Sequence, residues 1–261
     1  MKRSFLCQLC TAVLVSTLSS SMVFACQNAS AQTKPSSKEN KEARLQTITR
    51  RLNRMEAVKG VERLQYTYGY YQDRFLFGEL LSLFSNDAPE AHYMGGVWKG
   101  QAGLKRLWLG YISGTYANGA VGPVAGRLFD MPQWQGVIEV SADSQTARGR
   151  FRTLGKYAVL HEKEQWIAGI YDNDYVKEDG VWKIKVYRFC SPWSADYFEG
   201  WQDVDAAKSA PLWTLYPKDP NGPDRLETAA ERCTDQYPNP GLVPFRFNNP
   251  VTGKPVTWAS H

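Results

Sequence analysis

Residues 166–190 read WIAGIYDNDYVKEDGVWKIKVYRFC. Apolar and polar residues alternate on both sides of Asp179-Gly180. A period of two sends successive side chains to opposite faces of a strand. Asp-Gly tolerates the two positive φ angles that a tight hairpin requires. The stretch therefore predicts a β-hairpin with long arms. Two earlier segments carry the same period, WQGVIEVSAD (134–143) and TARGRFRTLGKYAVL (146–160). Turn signals at Asp143-Ser144 and across residues 161–165 join them into an antiparallel meander.

Further upstream the period lengthens. Leu45, Ile48, Leu52, Met55, Val58, Val61 and Leu64 recur every three or four residues, which predicts a helix from about Glu42 into Tyr68 and Tyr71. Its first half is rich in Arg and Lys, as a solvated face is. A short helix is expected at FGELLSLF (77–84), a short strand at residues 91–94, a turn at Gly95-Gly96 and a third helix at QAGLKRLWLGYI (101–112). A Gly-rich loop over residues 110–126 leads into the strands. Three helices followed by a curled antiparallel sheet make an α+β domain in which the helices cover one face and enclose a pocket.

The flanks differ from this domain, which is placed at residues 43–201. Lys2 and Arg3 precede an apolar run with small residues after it, the pattern of a signal peptide over residues 1–31, with Ala29-Ser30-Ala31 as the cleavage site. The competing reading makes Cys26 a lipid-modified N-terminus. No membrane span is expected after processing, and the mature protein is expected to be secreted or periplasmic. Residues 32–42 read as a flexible leader. Residues 202–261 are dense in Pro, Gly and Asn, yet keep Trp213, Tyr216, Phe245, Phe247 and Trp258. They are expected to pack on the domain or on a neighbouring subunit, with one short helix near residues 226–232. Processing leaves Cys190 and Cys233, a possible disulfide in an oxidising compartment.

The chain's net charge of +5 falls to +3 once Lys2 and Arg3 are removed. That is too little to argue for nucleic acid, and no basic stripe interleaved with aromatics is present. No phosphate loop, dinucleotide fingerprint, zinc-protease motif or nucleophile elbow is found. CQLC at 7–10 lies inside the signal, and the chain has only three histidines. No metal or cofactor is expected. The chemistry must come from carboxylates, Tyr hydroxyls, Arg and His92.

LQYTYGYYQDRFLFGELLSLFSNDA, GGVWKGQAGLKRLW and IYDNDYVKEDGVWKI resemble the SnoaL-like branch of the NTF2-like superfamily, from about residue 57 to 201. The resemblance implies a cone of bent antiparallel sheet with three helices closing a deep pocket, in a dimer or trimer. It also implies a range of activities: cofactor-independent dehydratases and lyases of the scytalone-dehydratase-like kind, cyclases, isomerases and members that only bind. By position, Asp73 matches the helix carboxylate of this branch, His92 a polar pocket position on the first strand, and Tyr171 and Asn173 inward positions of the hairpin. Where such dehydratases carry His on middle strands, this chain has FDMPQWQG and RGRFRTLG.

Asp73 shares a helical face with Tyr66, Gly69 and Tyr70. A carboxylate in an apolar pocket loses hydration, and its pKa rises towards the range of a general acid or base. A solvated helix-end residue is the plain alternative. The expected catalytic set is Asp73, His92 and Tyr71. Tyr68, Tyr171, Asn173, Arg152 and Trp108 are expected to bind substrate. The reading is a lyase or dehydratase acting on a small aromatic or polycyclic molecule. The alternative is a non-catalytic cup that binds a small molecule or serves in assembly.

Overall fold

The computed structural model describes residues 37–202, 219–232, 237 and 243–257. The chain forms two units, Met1–Arg44 and Leu45–His261. In the first unit residues 37–44 are helical and exposed, so the end of the expected leader is helix rather than flexible chain. The rest of that helix and all the strands belong to the second unit.

Helix α1 (Ser37–Asp73) presents two different faces. Leu45, Ile48, Leu52 and Met55 are exposed, whereas burial begins at Ala57 and continues through Val61, Leu64, Gln65, Tyr68, Gly69 and Gln72. The spacing explains the change. Steps of three and four alternate up to Met55 and hold the first four residues on one line. Met55, Val58, Val61 and Leu64 are then each three apart, and every step of three falls about 60° short of a full turn. Three such steps carry the apolar pattern about halfway round the helix.

A short helix α2 (Phe77–Ser82) buries Phe77, Leu80 and Leu81. Strands β1 (Glu90–Tyr93) and β2 (Gly96–Lys99) form a hairpin whose turn uses positive φ at Met94 and Gly95. Helix α3 (Gly100–Lys105) runs on as a π-helical segment, Arg106–Ile112, and ends in α4 (Ser113–Tyr116). The meander is β3 (Arg127–Asp130), β4 (Trp134–Val140), β5 (Thr146–Val159), β6 (Lys163–Glu178) and β7 (Val181–Asp196). Asp179 and Gly180 take the positive φ angles of the predicted hairpin turn. Near the expected C-terminal helix the chain instead forms a two-residue strand, β8 (Arg225–Leu226), on the edge of β2.

Among the described residues the sheet has eight strands in the order β3-β5-β6-β7-β1-β2-β8, with β4 also on β5. Its pairings are antiparallel except one. β1 lies parallel to β7, with Tyr93 opposite Phe189 and His92 opposite Arg188. The sheet is thus mixed, because β1 enters from the helical layer rather than through a hairpin with β7. The α+β class and the NTF2-like cone are otherwise the architecture observed, with helices over the concave face. The core between them is largely aromatic, with Tyr68, Trp108, Phe151, Tyr171, Tyr175 and Tyr187 fully buried.

The other face of the sheet is sealed by ions. Arg150 on β5 stands opposite Asp172 on β6, and the two form a buried ion pair. The segment 243–247 lies over them. Arg150 donates to the carbonyls of Val243 and Pro244, and its guanidinium stacks 5.1 Å from the Phe245 ring. Arg246 reaches Asp172 at 2.7 Å and Asp174 at 2.9 Å, and Asp174 also takes Arg188 at 2.6 Å. Arg150 is buried here because the tail covers it, whereas Arg148 and Arg152 beside it stay exposed.

A buried charge that loses its partner is costly. Asp172→Ala leaves Arg150 stranded and should lower unfolding free energy by about 3–5 kcal/mol. Arg246→Ala removes a half-exposed arm and should cost less, about 1–2 kcal/mol. Urea titration of both variants measures the difference.

Candidate functional site

The C-terminal end of α1 meets β1, β3, β6, β7 and the helix end around Ile112 and Tyr116 at a small cavity. Ile112, Phe129, Ile167 and Phe189 give it apolar walls, Met131 closes one side, and Gln72, Tyr93, Tyr116 and Tyr187 supply the polar atoms. Its volume is about 20 Å³ as room for the centre of a water molecule, enough for one water. The Tyr93 and Tyr116 hydroxyls share a hydrogen bond of 3.3 Å. Burial raises the pKa of Tyr93 and Tyr187 well above the usual phenol value and that of Tyr116 above it. These phenols stay protonated at neutral pH and act as hydrogen-bond donors rather than as bases.

Asp73 sits next to this cavity and not among its lining residues. Gln72, one position earlier, faces the cavity, while the Asp73 carboxylate turns to the loop between β3 and β4. There Oδ1 accepts the Met131 N–H at 2.8 Å. Among the described residues Oδ2 has no hydrogen bond. Desolvation raises the Asp73 pKa to about 6, opposed by the Met131 N–H and assisted by the nearby Asp130 carboxylate. The sequence reading expects the carboxylate to face the pocket, whereas its desolvation here comes from burial beside the Met131 loop.

The loop that Asp73 holds is fixed from its other side as well. Gln133 Nε2 donates to the Met131 carbonyl at 2.7 Å, and Gln65 Nε2 donates to Gln133 Oε1 at 2.8 Å. Two glycines make room for this approach. A Cβ on Gly69 would lie 2.7 Å from Gln133 Cγ, and one on Gly155 would run into the Met131 sulfur.

The other predicted residues divide by face. Tyr171 is fully buried on the concave side, and its hydroxyl reaches Gln72 Oε1 at 3.5 Å. Tyr68 packs edge-on to Tyr171, and Trp108 packs edge-on to Tyr187. The Tyr68 hydroxyl and the Trp108 N–H are buried without a hydrogen bond among the described residues. Tyr71 is half-buried against the core. Tyr68, Trp108 and Tyr171 back the cavity wall through their contacts with Tyr187.

Three residues depart from their expected roles. His92 lies on the opposite face of β1 from Tyr93, buried between Glu227, 3.1 Å from Nδ1, and Glu90, 3.6 Å from Nε2. It ties the C-terminal segment to the sheet. Arg152 is exposed and reaches Gln135, because the odd-numbered residues of β5 point inward. Asn173 is buried, but its amide needs no ligand. It donates to Gln65 Oε1 at 2.9 Å and accepts from Arg188 N at 2.8 Å. Cys190 is disulfide-bonded, and Cys233 lies outside the described residues. Reasoning from sequence missed Gln72, Tyr93, Tyr116 and Met131. The one local signal for Tyr93 was the alternation with His92, and it failed because β1 is buried on both faces.

Among the described residues no group of three or more His, Cys, Asp or Glu side chains is placed to hold a metal ion. No described helix is long and apolar enough to cross a membrane. The family model for the SnoaL-like domain matches residues 53–188, more than half of the chain. No curated protein matches it. Among solved structures, a protein assigned as a scytalone dehydratase from Novosphingobium aromaticivorans DSM 12444 is 24% identical, over 56% of this chain and 90% of that one, with a TM-score of 0.46. The hexachlorocyclohexane dehydrochlorinase LinA-type3 from Novosphingobium barchaimii LL02 is 21% identical, over 56% and 92%, with a TM-score of 0.47. An NTF2-like protein with a cystatin-like fold from Novosphingobium aromaticivorans is 17% identical, over 62% and 93%, with a TM-score of 0.46.

An acid whose native pKa is raised binds its proton more tightly when folded than when unfolded. Stability therefore falls as pH rises from the ordinary carboxylate range to about 6, and the full cost is present above that. Asp73→Asn keeps the acceptor for Met131 N–H and removes the charge. It should stabilise the fold at pH 8 by about 1–2 kcal/mol, because the half-open carboxylate keeps part of its hydration. At pH 4 the gain should vanish, which denaturation at the two pH values tests.

Proposed function

The chain belongs to the SnoaL-like domain family, and from that premise we propose that it is a lyase of the dehydratase type in which Asp73 moves the proton. The observation that carries this reading is the Asp73 carboxylate: half-buried, one oxygen fixed by Met131 N–H, the other without a partner, with a pKa of about 6. Near neutral pH such a group is ionised yet poorly hydrated, the state of a general base. Oδ2 takes a proton from carbon, the C–H electron pair becomes the new double bond, and the C–O bond breaks with its pair going to oxygen. That oxygen takes up the proton held by Asp73 and leaves as water, which returns the carboxylate. The Tyr93–Tyr116 hydroxyl pair, kept protonated by burial, donates hydrogen bonds to that oxygen.

The substrate is a small, flat, weakly polar molecule, since five of the nine lining residues are aromatic. It needs more room than one water occupies. Met131 is the wall shared by the cavity and Asp73, and it lies in the loop between strands rather than in one. Its displacement joins the two. Export to the periplasm or beyond, with the substrate met there, is part of the proposal and rests on the N-terminal pattern alone.

One observation favours a second reading, a cup that binds without turnover: among the described residues, none that lines the cavity is a carboxylate or a histidine. The two readings separate in one experiment. The protein is incubated with a panel of small aromatic and polycyclic alcohols, and loss of water is followed by mass spectrometry. The lyase reading expects turnover that rises through about pH 6 and falls at least about a hundredfold in Asp73→Asn, with affinity kept within a few-fold. Binding of panel compounds without any dehydration supports the cup instead.

A further inference from the structure

Leu45, Ile48, Leu52 and Met55 on α1 are between 52% and 67% exposed, four large apolar residues in a row where the helix buries nothing. Their spacing of three, four and three is that of the a and d positions of a heptad. The face that the domain buries, from Ala57 to Gln72, lies about half a turn away. The stripe is therefore no extension of the core. It points away from the side on which α1 packs.

The borders of the stripe carry opposite charges. Arg51 occupies the g position on one side and Glu56 the e position on the other, and neither has an ion-pair partner among the described residues. In a parallel pair of helices, g of one strand meets the following e of its partner, so Arg51 faces Glu56 of a second copy, twice by symmetry. In an antiparallel pair g meets g and e meets e, which sets like charges together. An anionic membrane is a poorer match, because Glu56 flanks the apolar line. We propose that this stretch of α1 is a self-association surface on which a second copy of the chain docks in parallel, as a two-stranded coiled coil.

Leu at a and Ile at d by themselves favour larger bundles. Arg51 and Glu56 directly beside the stripe leave only a narrow strip to bury, which suits two strands. At the next a position Lys59 is held by Glu62 at 2.6 Å, which ends the seam where the helix enters the domain. The seam is short, so the pair is weak and concentration-dependent.

Sedimentation of the full chain over a concentration series tests this. A reversible dimer is expected. Leu52→Glu should give a monomer with an unchanged circular-dichroism spectrum, since Leu52 touches no core. Arg51→Glu should weaken dimerisation about tenfold by placing Glu against Glu, and adding Glu56→Arg should restore it. A monomer at every concentration overturns the proposal, as does a dimer indifferent to Leu52→Glu. Loss without rescue overturns the parallel register. A monomer that binds anionic vesicles assigns the stripe to lipid and overturns it too.

Discussion

Gln65 is the polar group on which the interior is built. It is fully buried in an aromatic core, where an unsatisfied amide would be costly. Its oxygen accepts from Asn173 and from Tyr175 at 2.7 Å, and its nitrogen donates to Gln133. One side chain thus joins the helix, the sheet and the loop that begins at Met131. Hydrophobic burial brings these three together without direction, and the amide fixes their register. The setting of Asp73 follows, because the loop whose Met131 N–H donates to Asp73 Oδ1 is held through Gln133 by Gln65.

Much of the fold was legible in the chain. Alternation over residues 134–190 and the Asp179-Gly180 turn gave the meander, since both are local properties of the backbone. The parallel contact of β1 with β7 is not local, and no spacing announces it. The path of α1 was legible in part. Its apolar residues recur at helical intervals throughout, but a run of three consecutive threes marks where the pattern leaves one face for another. Read only as helical, that run hides the change. Read as an angle, it locates the point where the domain begins to cover the helix.

The site was harder to read than the fold. Asp73 was expected to face the pocket, but its carboxylate turns to Met131, and its neighbour Gln72 is the residue that meets the cavity. His92 and Tyr93 repeat the lesson on a strand. When both faces are buried, composition no longer says which is inside, and one position decides between a cavity wall and a tie on the far side. Asn173 was singled out because amides are disfavoured in strands. The reasoning was sound, but the partner it called for was Gln65. Tertiary partners of this kind lie a hundred residues apart and leave no trace in the neighbourhood.

The ionic seal over the sheet has a temporal side. The segment that covers Arg150 and Asp172 comes later in the chain than the strands that carry them. Until it emerges and docks, that surface is wet, and the cost of drying two opposite charges is deferred to a late event. The burial of that ion pair is therefore completed only by a segment about seventy residues or more further along the chain.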